Sequence, residues 1–146
     1  MHAIENVIEI GATPDAGWRV IDDVGASHGW QQFMEINGGK AVANDVLRLT
    51  LRPPGGTAVT FDARVVAAEP NRRLAWAGTV GTRGLFDTLQ SLTLERHTGG
   101  TRLVHREEFR GPLVWLFRLL GEIRKAKSGF EHFDSALKRG VEGSIR

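Results

Sequence analysis

The stretch TRLVHREEF, residues 101–109, alternates between two chemically different faces. Successive side chains of a β-strand point to opposite sides, so this alternation predicts a strand. One face carries apolar Leu103 and Phe109 with His105 and Glu107 between them, whereas the other face is largely charged. A polar group on a core face costs free energy unless it is paired. We therefore expect either a hydrogen-bonded network inside the core or a cavity that holds a ligand.

The same two-residue period runs through the middle of the chain and is interrupted by turn sequences rich in Gly, Pro and Asn. Hairpins of similar length that follow one another predict an antiparallel meander. A β-branched segment near the N-terminus adds a further strand. The predicted strands lie around residues 7–11, 46–51, 59–65, 74–78 and 85–96.

Two short helical segments are predicted between the first strand and the meander. Thr13, Pro14 and Asp15 are typical of a helix start, with Thr as N-cap and Pro in the first helical position. Trp30, Phe33 and Ile36 fall in a second stretch, short and either helical or irregular, and residues 37–39 are predicted to form a turn.

After residue 112 the apolar period becomes three to four residues and continues to residue 141. This spacing predicts a long amphipathic C-terminal helix, with a possible break at Gly121 or Gly129. An antiparallel sheet with one apolar face and a helix with one apolar stripe can bury both by packing together. We therefore expect a curved sheet wrapped around the helix, with a cavity between them.

In their order and spacing, several segments resemble the SRPBCC superfamily, also described as START-like or Bet v 1-like, and its polyketide cyclase/dehydrase-like branch in particular. The resemblance covers nearly the whole chain. The segments that carry it are IEI at 8–10, TPD at 13–15, HGWQQF at 28–33, EPNRRLAW at 69–76, GLFD at 84–87, GTRLVHREEFRG at 100–111 and residues 133–138.

The resemblance implies an α+β helix-grip fold that forms a single domain over residues 1–146. It implies a curved antiparallel sheet of six to seven strands, two short N-terminal helices and a long C-terminal helix inside the curve. Related sequences often carry a histidine where this chain has Gln90, and an amide cannot serve as the acid or base there. The fold by itself does not define a function, because it hosts carriers, enzymes, receptors and interaction modules.

We expect inward-facing residues of the sheet and the long helix to line the cavity. Gln90, His105 and Glu107 would supply the polar contacts, either to a ligand or to one another and buried water. Trp30 and Phe33 would close one end, and Lys127 would extend its amine to the rim. The predicted ligand-binding residues are Phe61, Trp76, Gln90, Leu92, His105, Glu107, Phe109 and Phe130, with His105 and Glu107 as the catalytic candidates.

Three functions remain open on the sequence alone. The favoured one is binding of a small hydrophobic ligand of the lipid, polyketide or isoprenoid kind. The second is a polyketide cyclase/dehydratase-like enzyme, in which His105 or Glu107 would move a proton. The third is a protein-interaction module of the co-chaperone or toxin kind, which would use an exposed surface.

Composition excludes several chemistries. The chain has no cysteine, and its five histidines lack metal-ligand spacing, so we expect neither a metal nor another cofactor. Residues 110–146 hold eight Lys/Arg against four Asp/Glu, which we interpret as the solvated face of a helix rather than a surface for acidic lipid or nucleic acid. No integral membrane segment or signal peptide is evident. We expect a cytoplasmic protein, with a homodimer possible.

Overall fold

A seven-stranded antiparallel sheet forms the body of the protein in a computed structural model, which describes residues 2–22, 34–38, 42–52 and 58–144. The strands are β1 (His2–Ile10), β2 (Met34–Gly38), β3 (Val46–Leu51), β4 (Val59–Glu69), β5 (Arg73–Thr79), β6 (Asp87–His97) and β7 (Gly100–Arg110). Their order in the sheet is β1-β7-β6-β5-β4-β3-β2. The predicted meander and the α+β helix-grip class are confirmed.

The structure of the second strand, β2, differs from the conformation predicted for residues 36–38. Ile36 lies in β2 and pairs with Leu49 of β3, so it is neither helical nor irregular. Asn37 and Gly38 also belong to β2, and the turn predicted at 37–39 is wrong for these two residues. A strand this short carries too little periodic signal to identify it, and pairing with β3 decides its conformation. The second short helix, with Trp30 and Phe33, falls outside the described residues.

Three helices are described: α1 (Pro14–Asp22), α2 (Val114–Leu119) and α3 (Glu122–Ser144). The start of α1 is the predicted one, and the Gly17 N–H donates to the Thr13 carbonyl at 3.1 Å. The long C-terminal helix is interrupted at Gly121, where φ is +78°, but continues through Gly129. A positive φ suits glycine, which has no Cβ to clash there. Among the described residues, no helix is long and apolar enough to cross a membrane.

The core lies between the inner face of the sheet and α3. The predicted apolar stripe of the helix is buried at Phe130, Phe133, Leu137 and Val141. Register shifts between Val65 and Ala67 in β4 and between Ile36 and Gly38 in β2 interrupt the ladder. Such bulges bend a strand and increase its twist, which helps the sheet to curve around α3.

The junction of β7 with the end of β1 is closely packed, and one substitution tests it. A Cβ on Gly100 would overlap the Ile10 carbonyl oxygen, which cannot move without opening the β1–β7 ladder. We expect Gly100→Ala to lower the free energy of unfolding by about 2–3 kcal/mol. The measurement is urea denaturation followed by circular dichroism. Gly143→Ala is the control, because nothing lies within 4 Å of a Cβ built there, and it should be neutral or slightly stabilising.

Candidate functional site

A buried hydrogen-bonded chain joins the sheet to α3 through His105 of β7. The His105 Nδ1 lies 2.7 Å from Oδ1 of Asp134, and its Nε2 lies 2.6 Å from the amide nitrogen of Gln90. Asp134 also accepts a hydrogen bond from Asn6 Nδ2 at 2.8 Å. With its proton on Nδ1, the imidazole donates to Asp134 and accepts from the Gln90 amide. Both ring nitrogens of His105 therefore have hydrogen-bonding partners.

The imidazole is also sealed from solvent. Its ring stacks on Phe130 of α3 with 3.7 Å between centroids and 7° between planes. The exposed fraction of His105 is 0%. A general acid or base must come within hydrogen-bond reach of the substrate proton it moves. Both ring nitrogens are occupied and the ring is covered. The contacts of His105 therefore hold α3 against the sheet.

The roles of Asp134 and Asn6 in this network were not predicted from the sequence, although the sequence contains a signal for each. Asn6 lies two residues from both Ile4 and Ile8, and residues two apart on a strand share a face. Asp134 follows Phe130 by four residues and so lies on the apolar stripe of the helix. A carboxylate on a buried stripe needs a hydrogen-bonding partner, and a histidine on the facing sheet was the available one.

An apolar cavity of about 330 Å³ lies beside this network, between the sheet and the start of α3. The predicted residues Phe61, Glu107 and Phe109 are part of its wall. The described wall also includes Leu51, Val59, Val80, Phe86, Thr88, Phe117, Leu120, Glu122, Ile123 and Ala126. The other predicted residues, Trp76, Gln90, Leu92, His105 and Phe130, are buried in the adjoining core and are not among the described wall residues.

Glu107 is the unusual group in this wall. Its exposed fraction is 3%, and it makes no hydrogen bond or ion pair with any residue that the structure describes. Burial raises the pKa of the Glu107 carboxyl from 4.5 to about 8, since a low-dielectric environment disfavours the charged form. At neutral pH this side chain is a carboxylic acid that can both donate and accept a hydrogen bond.

Further polar atoms that lack partners among the described residues lie on the neighbouring strands β5 and β6. Trp76 of β5, Gln90 of β6 and Glu107 of β7 occupy paired positions across three neighbouring strands. The Nε1 of Trp76, the Oε1 of Gln90 and the Oγ1 of Thr88 are buried and have no hydrogen-bonding partner among the described residues. Buried polar groups of this kind usually bind water or a ligand. Of these residues, Thr88 lines the cavity together with Glu107, whereas Trp76 and Gln90 lie in the adjoining core.

Gly78 sets the position of one aromatic wall residue. A Cβ at Gly78 would come within 2.6 Å of the Phe61 ring, so the ring occupies the space that a side chain would take.

Within the described ranges, no group of three or more His, Asp or Glu side chains could hold a metal ion. The polar side chains of the described cavity wall are Thr88, Glu107 and Glu122.

A curved antiparallel sheet that holds a long helix, with an apolar cavity between them, defines a protein of the helix-grip class. Its fold is similar to that of a Chromobacterium violaceum protein at 17% identity and a TM-score of 0.74, with 96% of each chain covered. A Mesorhizobium loti protein matches at 19% identity and a TM-score of 0.72, with 99% of each chain covered.

A third similar structure is the di-domain ARO/CYC from the steffimycin biosynthetic pathway, at 12% identity and a TM-score of 0.75. The match covers 98% of this chain and 51% of that one. No curated protein sequence matches the chain significantly. The family model for polyketide cyclase / dehydrase and lipid transport matches residues 1–142. The chain belongs to this family, and the predicted resemblance is confirmed.

The buried network predicts a stability effect at Asp134. In Asp134→Asn, an amide N–H₂ would replace one carboxylate oxygen and face either the buried His105 ring or the partly buried Asn6 amide, and that donor would lose its acceptor. We expect the free energy of unfolding to fall by about 2–4 kcal/mol, measured by urea denaturation. Glu131→Gln, on the exposed side of the same helix, should change it by less than about 0.5 kcal/mol. Equal effects of the two substitutions would contradict the network.

The raised pKa of Glu107 predicts a pH-dependent stability. Between the unfolded pKa of 4.5 and the folded pKa of about 8, the folded protein retains a proton that the unfolded chain has released. The unfolding free energy therefore falls by a few kcal/mol as the pH rises through this window. Glu107→Gln should remove that part of the slope in urea titrations at several pH values, whereas Glu95→Gln at an exposed site should not. Parallel curves for wild type and Glu107→Gln would show that Glu107 titrates normally.

Proposed function

We propose that the protein binds a small hydrophobic molecule in the cavity between the sheet and α3, and that Glu107 donates a hydrogen bond to an oxygen of this ligand. One observation carries the proposal: a buried carboxyl group without a partner among the described residues lies in a mostly apolar wall, whose other polar side chains are Thr88 and Glu122. A lipid, polyketide or isoprenoid with a carbonyl or hydroxyl group fits this chemistry.

The size and lining of the cavity support this function. Its volume of about 330 Å³ is at the lower end of the range for small-molecule sites, which are mostly apolar with a few polar groups that fix orientation. Aromatic Phe61, Phe86 and Phe109 supply the apolar contacts. Such a lining would be needed to bind either a lipid or a polyketide that is cyclised, the two kinds of ligand of this family.

A cytoplasmic location and a homodimer stay predictions from the sequence.

A cyclase/dehydratase-like enzyme is the second candidate, and the pKa of Glu107 favours it. A carboxylic acid with a pKa of about 8 holds a proton at neutral pH and can deliver it to a substrate oxygen as that oxygen gains charge. The enclosing wall would hold a flexible substrate in one conformation, which lowers the entropic part of the barrier. Glu107 takes the acid role in this mechanism because His105 is covered.

Filling the cavity should abolish binding. Ala126 lies in the wall on α3, so Ala126→Phe would place a ring where the ligand binds. We expect hydrophobic compounds that co-purify with wild type to be absent from Ala126→Phe in native mass spectrometry. Organic extraction should lower the melting temperature of wild type only, because a ligand at 100 times its Kd stabilises the folded state by about 2.7 kcal/mol. Ser135→Phe, on the exposed side of α3, is the control and should behave like wild type.

The Glu107→Gln variant separates the two candidates. Glutamine keeps the shape and a hydrogen-bond donor but cannot transfer a proton. Retained binding with lost turnover of the bound compound would support the enzyme, and retained binding without turnover in either protein would support the carrier. If wild type and Ala126→Phe carried the same compounds, the cavity would not be the binding site.

A further inference from the structure

The short helix α2 is apolar on the side that faces solvent. Trp115, Leu119 and Leu120 have exposed fractions of 62%, 74% and 59%, and Leu116 is exposed as well. We call these four residues, three in α2 and Leu120 directly after it, the α2 patch. Other exposed large apolar side chains among the described residues lie outside α2: Val7, Val42, Val46, Val66 and Leu85. Five of the six residues of α2 are apolar, and the apolar side of a helix is normally buried. No described residue covers the outer side of α2.

Unpaired cations lie beside the α2 patch. Arg118, Arg124 and Lys127 line a groove of about 740 Å³ together with Trp115 and Leu119. All three cations are exposed, and none forms an ion pair with a residue that the structure describes.

Acidic residues near the groove do not neutralise these cations. Glu5, in the groove, is paired with Arg106 at 3.3 Å, and Glu122, which follows the patch, is paired with Lys125 at 3.2 Å. The surface therefore combines a net positive charge with exposed apolar side chains.

This combination fits the surface of an anionic bilayer better than a second copy of the chain. Trp and Leu on one side with Lys and Arg nearby are typical of segments that lie in the membrane interface. Basic residues there gain free energy from anionic headgroups. A symmetric dimer would instead bring the same patch of two chains together, and the Arg118, Arg124 and Lys127 cations of both copies would repel.

We propose that the α2 patch docks onto anionic membrane surfaces, with Trp115, Leu119 and Leu120 in the interface and Arg118, Arg124 and Lys127 on lipid phosphates. Leu120 is 59% exposed and also lines the cavity, so it marks a mouth of the cavity beside the patch. Docking would turn this mouth towards the bilayer. The proposal does not depend on which ligand the cavity binds.

Flotation of the full chain with vesicles tests the proposal. We expect binding to vesicles of equal parts phosphatidylcholine and phosphatidylglycerol, weak binding to pure phosphatidylcholine, and release by salt. The double variant Trp115→Ser/Leu119→Ser should weaken binding about tenfold or more. Arg118→Gln and Arg124→Gln should each weaken it about fivefold. The controls are Val66→Ser and Arg64→Gln, both at exposed positions of β4, and they should bind like wild type.

A spectroscopic readout locates the contact. Brominated lipids in the vesicles should quench the fluorescence of wild type, and Trp115→Phe should lose most of this quenching. Equal binding to both kinds of vesicle, no binding at low salt, or unchanged binding of Trp115→Ser/Leu119→Ser would overturn the proposal. A concentration-dependent dimer in analytical ultracentrifugation that the same double variant dissociates would also overturn it, because the patch would then be a self-association surface.

Discussion

The hydrogen bond between His105 and Asp134 fixes the relation between the two layers of this protein. Both groups are fully buried, and burying either one without a partner would cost free energy. The stacking of the imidazole on Phe130 adds a contact from the same turn of α3. These contacts hold the middle of the helix against the sheet, whereas residues one to two turns earlier, at Ile123 and Ala126, line the cavity. The cavity therefore lies beyond the part of α3 that these contacts hold against the sheet.

Two inward residues on one strand have different roles for this reason. His105 faces the fastened part of α3 and has both ring nitrogens paired. Glu107 lies one inward position further along β7, faces the cavity, and has no protein partner among the described residues. Burial without compensation is what raises its pKa. The alternation of residues 101–109 shows that both side chains point inward, but it contains no information about which one α3 covers.

The sequence predicted local features of this fold better than relations between elements. Two-residue alternation identified the long strands, and the three-to-four-residue spacing identified α3. The glycines indicated a break at Gly121 or Gly129, and only Gly121 interrupts the helix. Asn6 and Asp134 were missed because their roles depend on how α3 lies over the sheet, which no local pattern encodes. The five-residue strand β2 was missed because its conformation depends on pairing with β3. The division of the predicted cavity residues between wall and core depends on the same tertiary placement.

The cavity and the α2 patch have a common structural origin. At Gly121 the positive φ ends α2 and lets α3 begin in a new direction, so α2 is not an extension of the fastened helix. Phe117 of α2 faces inward, contacts Phe86 edge-on and lines the cavity. In a helix of six residues, five of them apolar, one side cannot hold every apolar side chain. Trp115 and Leu119 are therefore left outside next to the mouth of the cavity, and this links access to the cavity with contact to an apolar phase.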